Sequence, residues 1–172
     1  DLYQIHWPSG SFGSRTVPME ETMKALLKLK KEGKIRAIGV SNFSQAQLTE
    51  ICQFGPIDSL QPPYSLFWRQ IEADAAPFCV TESISILAYS SLAQGLLTGK
   101  YAPDHQFEDG DNRSLNKLFQ PEHNKRIKAA LDQLRQMAEN KNITPGQLAL
   151  AWLIAQPTTS AIVGAKNPEQ VV

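Results

Sequence analysis

The chain is poor in cysteine, has no excess of either charge and lacks any long apolar run. Its two cysteines, Cys52 and Cys79, show no metal-like spacing with histidine, so both read as reduced core fillers of a cytosolic protein. Seventeen Lys and Arg balance 17 Asp and Glu. The densest basic run, Lys28, Lys30 and Lys31, reads as a solvated helix face, which excludes nucleic acid as a partner. No stretch approaches the roughly 20 apolar residues of a membrane span, so no membrane role is expected. There is no Gly-x-Gly-x-x-Gly turn, no Walker-type loop and no Gly-x-Ser-x-Gly elbow. His6, His105 and His123 lack zinc spacing. No signal peptide leads the chain, and Asp1 rather than Met stands first, as in a chain that begins mid-protein, was processed or was cut.

What is present is an ordinary globular composition: 42% apolar and 20% charged residues, enough for one core and one domain over 1–172. Apolar runs of strand length fall at 2–6, 35–40, 57–61, 84–89 and 160–164. Between them lie helical patterns. The first covers 16–32 and ends at Gly33. The second follows Ser44, which forms a capping box with Gln47. A third helix is expected over 70–82, with Ile71, Ala75, Phe78 and Cys79 on one stripe. A long one starts at Pro121, with Ile127, Ala130, Leu131, Leu134, Met137 and Ala138 inward. Thr144-Pro145-x-Gln147 caps a further helix, apolar almost all round and therefore expected to be deeply buried. Residues 91–119 show no periodicity, and such a stretch is usually functional, often a lid.

Strand–helix alternation with continuous apolar strands signals a parallel sheet covered by helices. An open doubly wound sheet and part of a (β/α)8 barrel both fit, and in either case function sits at the carboxyl ends of the strands. Those ends carry His6, Ser41-Asn42, Gln61, Tyr89-Ser90 and Gly164, residues that packing alone does not call for, which suggests one shared site. Asn167-Pro168 opens a helix whose N-terminus, with Lys166 beside it, offers a place for an anion.

Four ordered segments resemble the aldo-keto reductases. They are Asp1-Leu2-Tyr3-Gln4-Ile5-His6-Trp7, then Gly33-Lys34-Ile35-Arg36-Ala37-Ile38-Gly39-Val40-Ser41-Asn42-Phe43, then the run from Ala88 through Tyr89-Ser90 to Gly99-Lys100-Tyr101, and finally Val163-Gly164-Ala165-Lys166 with Gln170. The resemblance implies an α/β fold, an incomplete (β/α)8 TIM barrel with strands four to eight. It also implies NADP(H) as cofactor and a carbonyl or alcohol as substrate. His6 would orient and polarise the carbonyl as the catalytic residue present. Ser41, Asn42 and Gln61 would hold the nicotinamide carboxamide, and Tyr89 would stack on the ring. Ser90, Leu92, Gly95 and Lys100 would wrap the pyrophosphate. Arg113, Gly164, Lys166 and Gln170 would meet the 2′-phosphate and adenine end, with Lys166 and Arg113 setting the preference for NADP.

Plainer roles stay open for several of these. Gln170 completes a capping box with Asn167. Trp7 and Trp68 either line a pocket or pack at the barrel mouth. The family's Asp, Tyr and Lys come from its first three βα units, and this chain matches from the fourth onward. Tyr101 beside Lys100 is no substitute, because both belong to the cofactor-loop motif. The resemblance therefore implies a chain that is inactive alone, poorly stable or self-associating unless a missing N-terminal barrel segment completes it. A nucleotide-sensing regulatory subunit of the same fold and an inactive truncated remnant are the alternatives.

Overall fold

The computed structural model describes residues 1–102, 105–165 and 167–170, the last without its side chain. Among the described residues, five strands form one sheet: β1 (Leu2–Ile5), β2 (Ala37–Ser41), β3 (Ser59–Gln61), β4 (Ser85–Ala88) and β5 (Thr159–Ala161). The helices between them are α1 (Met19–Lys31), α2 (Gln45–Cys52), α3 (Ala75–Thr81), α4 (Asn124–Glu139) and α5 (Pro145–Ile154). Every pairing is parallel and the spatial order is β1-β2-β3-β4-β5, with Ile5 opposite Val40, Ser41 opposite Gln61, Leu60 opposite Ile86 and Ala88 opposite Ala161. A doubly wound sheet reverses its strand order part-way. An order that never reverses puts every right-handed crossover on the same face. The architecture is therefore a run of consecutive units of a (β/α)8 barrel, and the two alternatives open at the sequence level reduce to one.

The helix-facing side of the sheet is apolar. Ile38, Val40, Leu60, Ile86 and Ala88 are buried against Met23 and Leu26 of α1, Leu48 and Ile51 of α2, and Cys79 of α3. The opposite side differs from the continuous apolar strands that the sequence suggests. Side chains alternate across a strand, and this face presents Gln4, Gly39, Ser59 and Gln61. Gln61 Nε2 donates to Gln4 Oε1 at 2.9 Å and Gln4 Nε2 to Ser59 Oγ at 3.3 Å. Gly39 makes room for this ladder, since a Cβ there would lie 2.3 Å from Ser59 Oγ.

Local signals set the helix ends. Ser44 and Gln47 form the expected capping box at α2, and Thr144 and Gln147 form one at α5. Gly33, at φ +72°, turns the chain out of α1. Four expectations change. The helix over 70–82 is broken at Asp74, whose carboxylate instead accepts from the Gln45 backbone N–H at the start of α2 (3.2 Å), an electrostatically favoured place for a negative charge. In α5 only Ala149 and Leu153 are buried, and Ile154 faces outward because the helix packs on the sheet and α4 from one side. Met137 of α4 likewise points to solvent. Finally, the described part of the stretch 91–119 is not structureless: Ala93, Leu96, Leu97 and Phe119 form a second core with Ile127, Leu131 and Leu134 of α4.

Candidate functional site

The carboxyl ends of β1 to β4 are joined by hydrogen bonds centred on Asn42. Its amide Nδ2 donates to the His6 carbonyl (3.1 Å) and to Ser41 Oγ (2.9 Å), and its Oδ1 accepts from the Tyr89 hydroxyl (2.8 Å). The Gln61 carbonyl accepts from the Asn42 backbone N–H (3.1 Å) and from Ser41 Oγ (2.7 Å). Asn42 reaches these partners because it sits at φ +63°, a region that Asn tolerates better than most residues. Ser41 is buried, Asn42, Gln61 and Tyr89 are half-buried, and His6 is exposed. Burial raises the Tyr89 phenol above its ordinary value, which keeps it a neutral donor to Asn42.

The turn after β4 is built from unusual backbone. Ser90, Ala93 and Gln94 all have positive φ, followed by Gly95 at φ +93°. Left-handed non-glycine residues cost energy and tend to gather at functional turns. At Gly95 a Cβ would stand 3.1 Å from the Tyr101 ring. Leu92 is half-buried against the second core. Lys100 is exposed, with its Nζ 5.4 Å from the centre of the Tyr101 ring. Arg113 is engaged by its own surroundings. Its Nε donates to Asp111 Oδ1 (2.9 Å), its Nη2 pairs with Asp111 Oδ2 and its Nη1 donates to the Tyr101 hydroxyl (3.0 Å). The Asp111 carboxylate, and after it the Tyr101 hydroxyl, hold its proton more firmly than usual, and the guanidinium also lies 4.6 Å from the Phe107 ring centre.

Most of the residues expected at a shared site are thus brought into two adjoining groups: the Asn42 network, and the turn from Ser90 to Arg113. Gly164 is exposed after β5, and among the described residues beyond its chain neighbours no atom stands within 4 Å of where its Cβ would be. Lys166 lies outside the described residues, as does the side chain of Gln170. Three participants were not anticipated. Gln4 partners Gln61, Asp111 orients Arg113, and buried Ser91 donates to the Ile162 carbonyl at 2.7 Å, tying the β4 turn to β5. Gln4 had a signal, a polar side chain in the middle of an apolar strand. Asp111 had none, because it lies in an aperiodic stretch.

The model of the Aldo/keto reductase family matches residues 1–172. Aldo-keto reductase YhdN of Bacillus subtilis is 39% identical over 99% of this chain and 51% of its own length. The NADH-specific methylglyoxal reductase of Escherichia coli is 37% identical over 99% of this chain and 52% of its own. Among solved structures, the glycerol dehydrogenase AKR11B4 from Gluconobacter oxydans superposes with a TM-score of 0.91 at 38% identity, covering 99% of this chain and 51% of that one. An aldo-keto reductase from Klebsiella pneumoniae in complex with NADPH gives 0.71 at 29% identity, covering 99% and 50%. The chain spans about half the length of the curated relatives it matches.

Proposed function

The chain belongs to the aldo/keto reductase family, and from that premise we propose that it carries the cofactor side of an NADP(H)-dependent oxidoreductase acting on a carbonyl or an alcohol. The observation that supports this best is the Asn42 network, which ties together the carboxyl ends of four neighbouring strands, where barrel enzymes place their sites. Asn42 Oδ1, with a second lone pair beside its bond from Tyr89, and the Gln61 side-chain amide, with a second N–H beside its bond to Gln4, suit a nicotinamide carboxamide, and the Tyr89 ring, pinned through its hydroxyl, offers a flat apolar surface. The glycine-containing turn over 90–95 brings backbone close to the Tyr101 ring, over which the Lys100 ammonium stands as the charge for a phosphate. When bound, the cofactor would supply the hydride.

The chain's own groups bind and orient. Ser41, Asn42 and Gln61 fix the ring's rotation, and Ser90, Leu92 and Gly95 shape the wall. Lys100, Arg113, Gly164, Lys166 and Gln170 serve the phosphate and adenine end. His6 holds the substrate oxygen through its imidazole, while its carbonyl anchors Asn42. The neighbour solved with NADPH favours the phosphorylated cofactor. Titrating the protein that contains this chain with NADPH and NADH, reading tryptophan fluorescence, tests the reading. Saturable quenching with NADPH bound more tightly is expected, and quenching by neither would overturn it. Binding without any carbonyl-dependent oxidation of NADPH would favour the nucleotide-sensing alternative.

A further inference from the structure

A groove of about 950 Å³ opens beside the nicotinamide end of the proposed cradle. Tyr89 lines it, as does Ser90, one of the residues proposed for the phosphates, whereas Leu92, Gly95, Lys100 and Arg113 do not. The volume sits at the upper end of small-molecule sites. Phe67, Trp68, Leu118 and Ile127 give the groove an apolar and aromatic surface. Lys117, His123 and Arg126 add basic groups from the segment leading into α4 and from α4 itself, and among the described residues no carboxylate lines the groove. Neither Lys117 nor Arg126 has a carboxylate partner among the described residues, although most ion pairs here are local and easily made. A second, independent feature lies in the same wall. Ser65 is fully buried and its Oγ has no hydrogen-bond partner among the described residues, a cost that a polar ligand group or an ordered water would relieve.

We propose that this groove is the specificity pocket for the carbonyl partner and selects elongated compounds with an aromatic or apolar body and an anionic group. The assignment rests on the oxidoreductase reading above. The body packs on Phe67 and Trp68, and the anion meets Arg126 and Lys117, with His123 as a further donor. Because those cations reach solvent, the preference is one of tens rather than thousands, and salt weakens it.

The protein containing this chain is assayed with 4-carboxybenzaldehyde and with its neutral methyl ester, methyl 4-formylbenzoate. Binding of unreactive 2-naphthoate and neutral 2-naphthylmethanol is measured in parallel by calorimetry. The ratio of kcat/KM, anionic over neutral, is expected to fall about tenfold in the double variant Lys117→Met/Arg126→Met, through KM, and to recover in Lys117→Met/Arg126→Lys in part. Lys141→Met, remote from the groove, controls for net charge. An unchanged ratio overturns the proposal, as does a double variant that weakens NADPH binding while leaving the ratio intact, because the groove would then belong to the cofactor. Charge-dependent naphthoate binding without turnover of any carbonyl upholds the anion groove and sinks the oxidoreductase reading. Turnover without charge preference does the reverse.

Discussion

Asn42 carries three side-chain hydrogen bonds from a left-handed backbone, and both features bear on what replaces it. Alanine loses the bonds and also pays for the positive φ, whereas glycine loses only the bonds. Urea denaturation should therefore rank Asn42→Gly above Asn42→Ala, with Ala about 1–3 kcal/mol below the wild type. The reverse order would show that the turn is not left-handed. The cysteines allow a second residue-level prediction. Burial pushes the Cys79 thiol up to about 12 and raises the half-buried Cys52 as well. Both should then be protonated and slow towards thiol reagents at neutral pH until the chain unfolds, with Cys52 reacting first. Rapid native labelling of Cys79 would contradict the packing.

Among the elements, the segment after β3 is held by a compact polar cluster. The Tyr64 hydroxyl donates to Glu72 Oε1 at 2.9 Å, and Arg69 grips both oxygens of the same carboxylate at 2.8 and 2.7 Å. The Arg69 contact holds Glu72 below the usual carboxylate range, while burial, reinforced by Glu72, holds the Tyr64 phenol above its own. Glu72→Ala leaves a buried phenol without its acceptor and should cost about 1–2 kcal/mol, measurable by thermal or chemical melting. Tyr64→Phe, which removes the donor as well as its need, should cost less. Gly95 poses a different constraint: alanine there meets the Tyr101 ring at 3.1 Å with φ +93°. Gly95→Ala should therefore loosen NADPH binding through the turn, several-fold, with little change in overall secondary structure by circular dichroism.

For the molecule as a whole, the two outer strands, β1 and β5, each pair on one side among the described residues. Leu2, Tyr3 and Trp7 near β1, and Ile162 and Val163 after β5, are all exposed. Unpaired strand edges with apolar flanks invite association. The 172-residue chain on its own should sediment as more than one copy and bind a hydrophobic dye. A compact, dye-free monomer would refute this. The polar inner face tempers the expectation, because Gln4, Ser59 and Gln61 satisfy one another and lose little in water. The pH limit follows from Cys79 and Tyr64, both acids whose folded pKa is raised. Their contribution is complete below the unfolded values, 9.0 for the thiol and 10.0 for the phenol, and is lost as pH rises through the folded ones. Unfolding midpoints should accordingly fall above about pH 9, and Cys79→Ala should flatten part of that fall.

Strand–helix alternation, both capping boxes, the glycine stop of α1 and the polar residues at the strand ends were all legible in the chain, because each depends on neighbours within about four positions. Sequence alone also carried the family, through four motifs in order. What it left open needed distant residues to meet. The non-reversing strand order excluded the doubly wound sheet, and the inner face proved polar because Gln4 finds Gln61 across 57 positions. Asp74 broke a regular helical stripe in order to serve α2, and an aperiodic loop acquired its own core. Periodicity records which face of an element is apolar, but only packing decides what each face is set against.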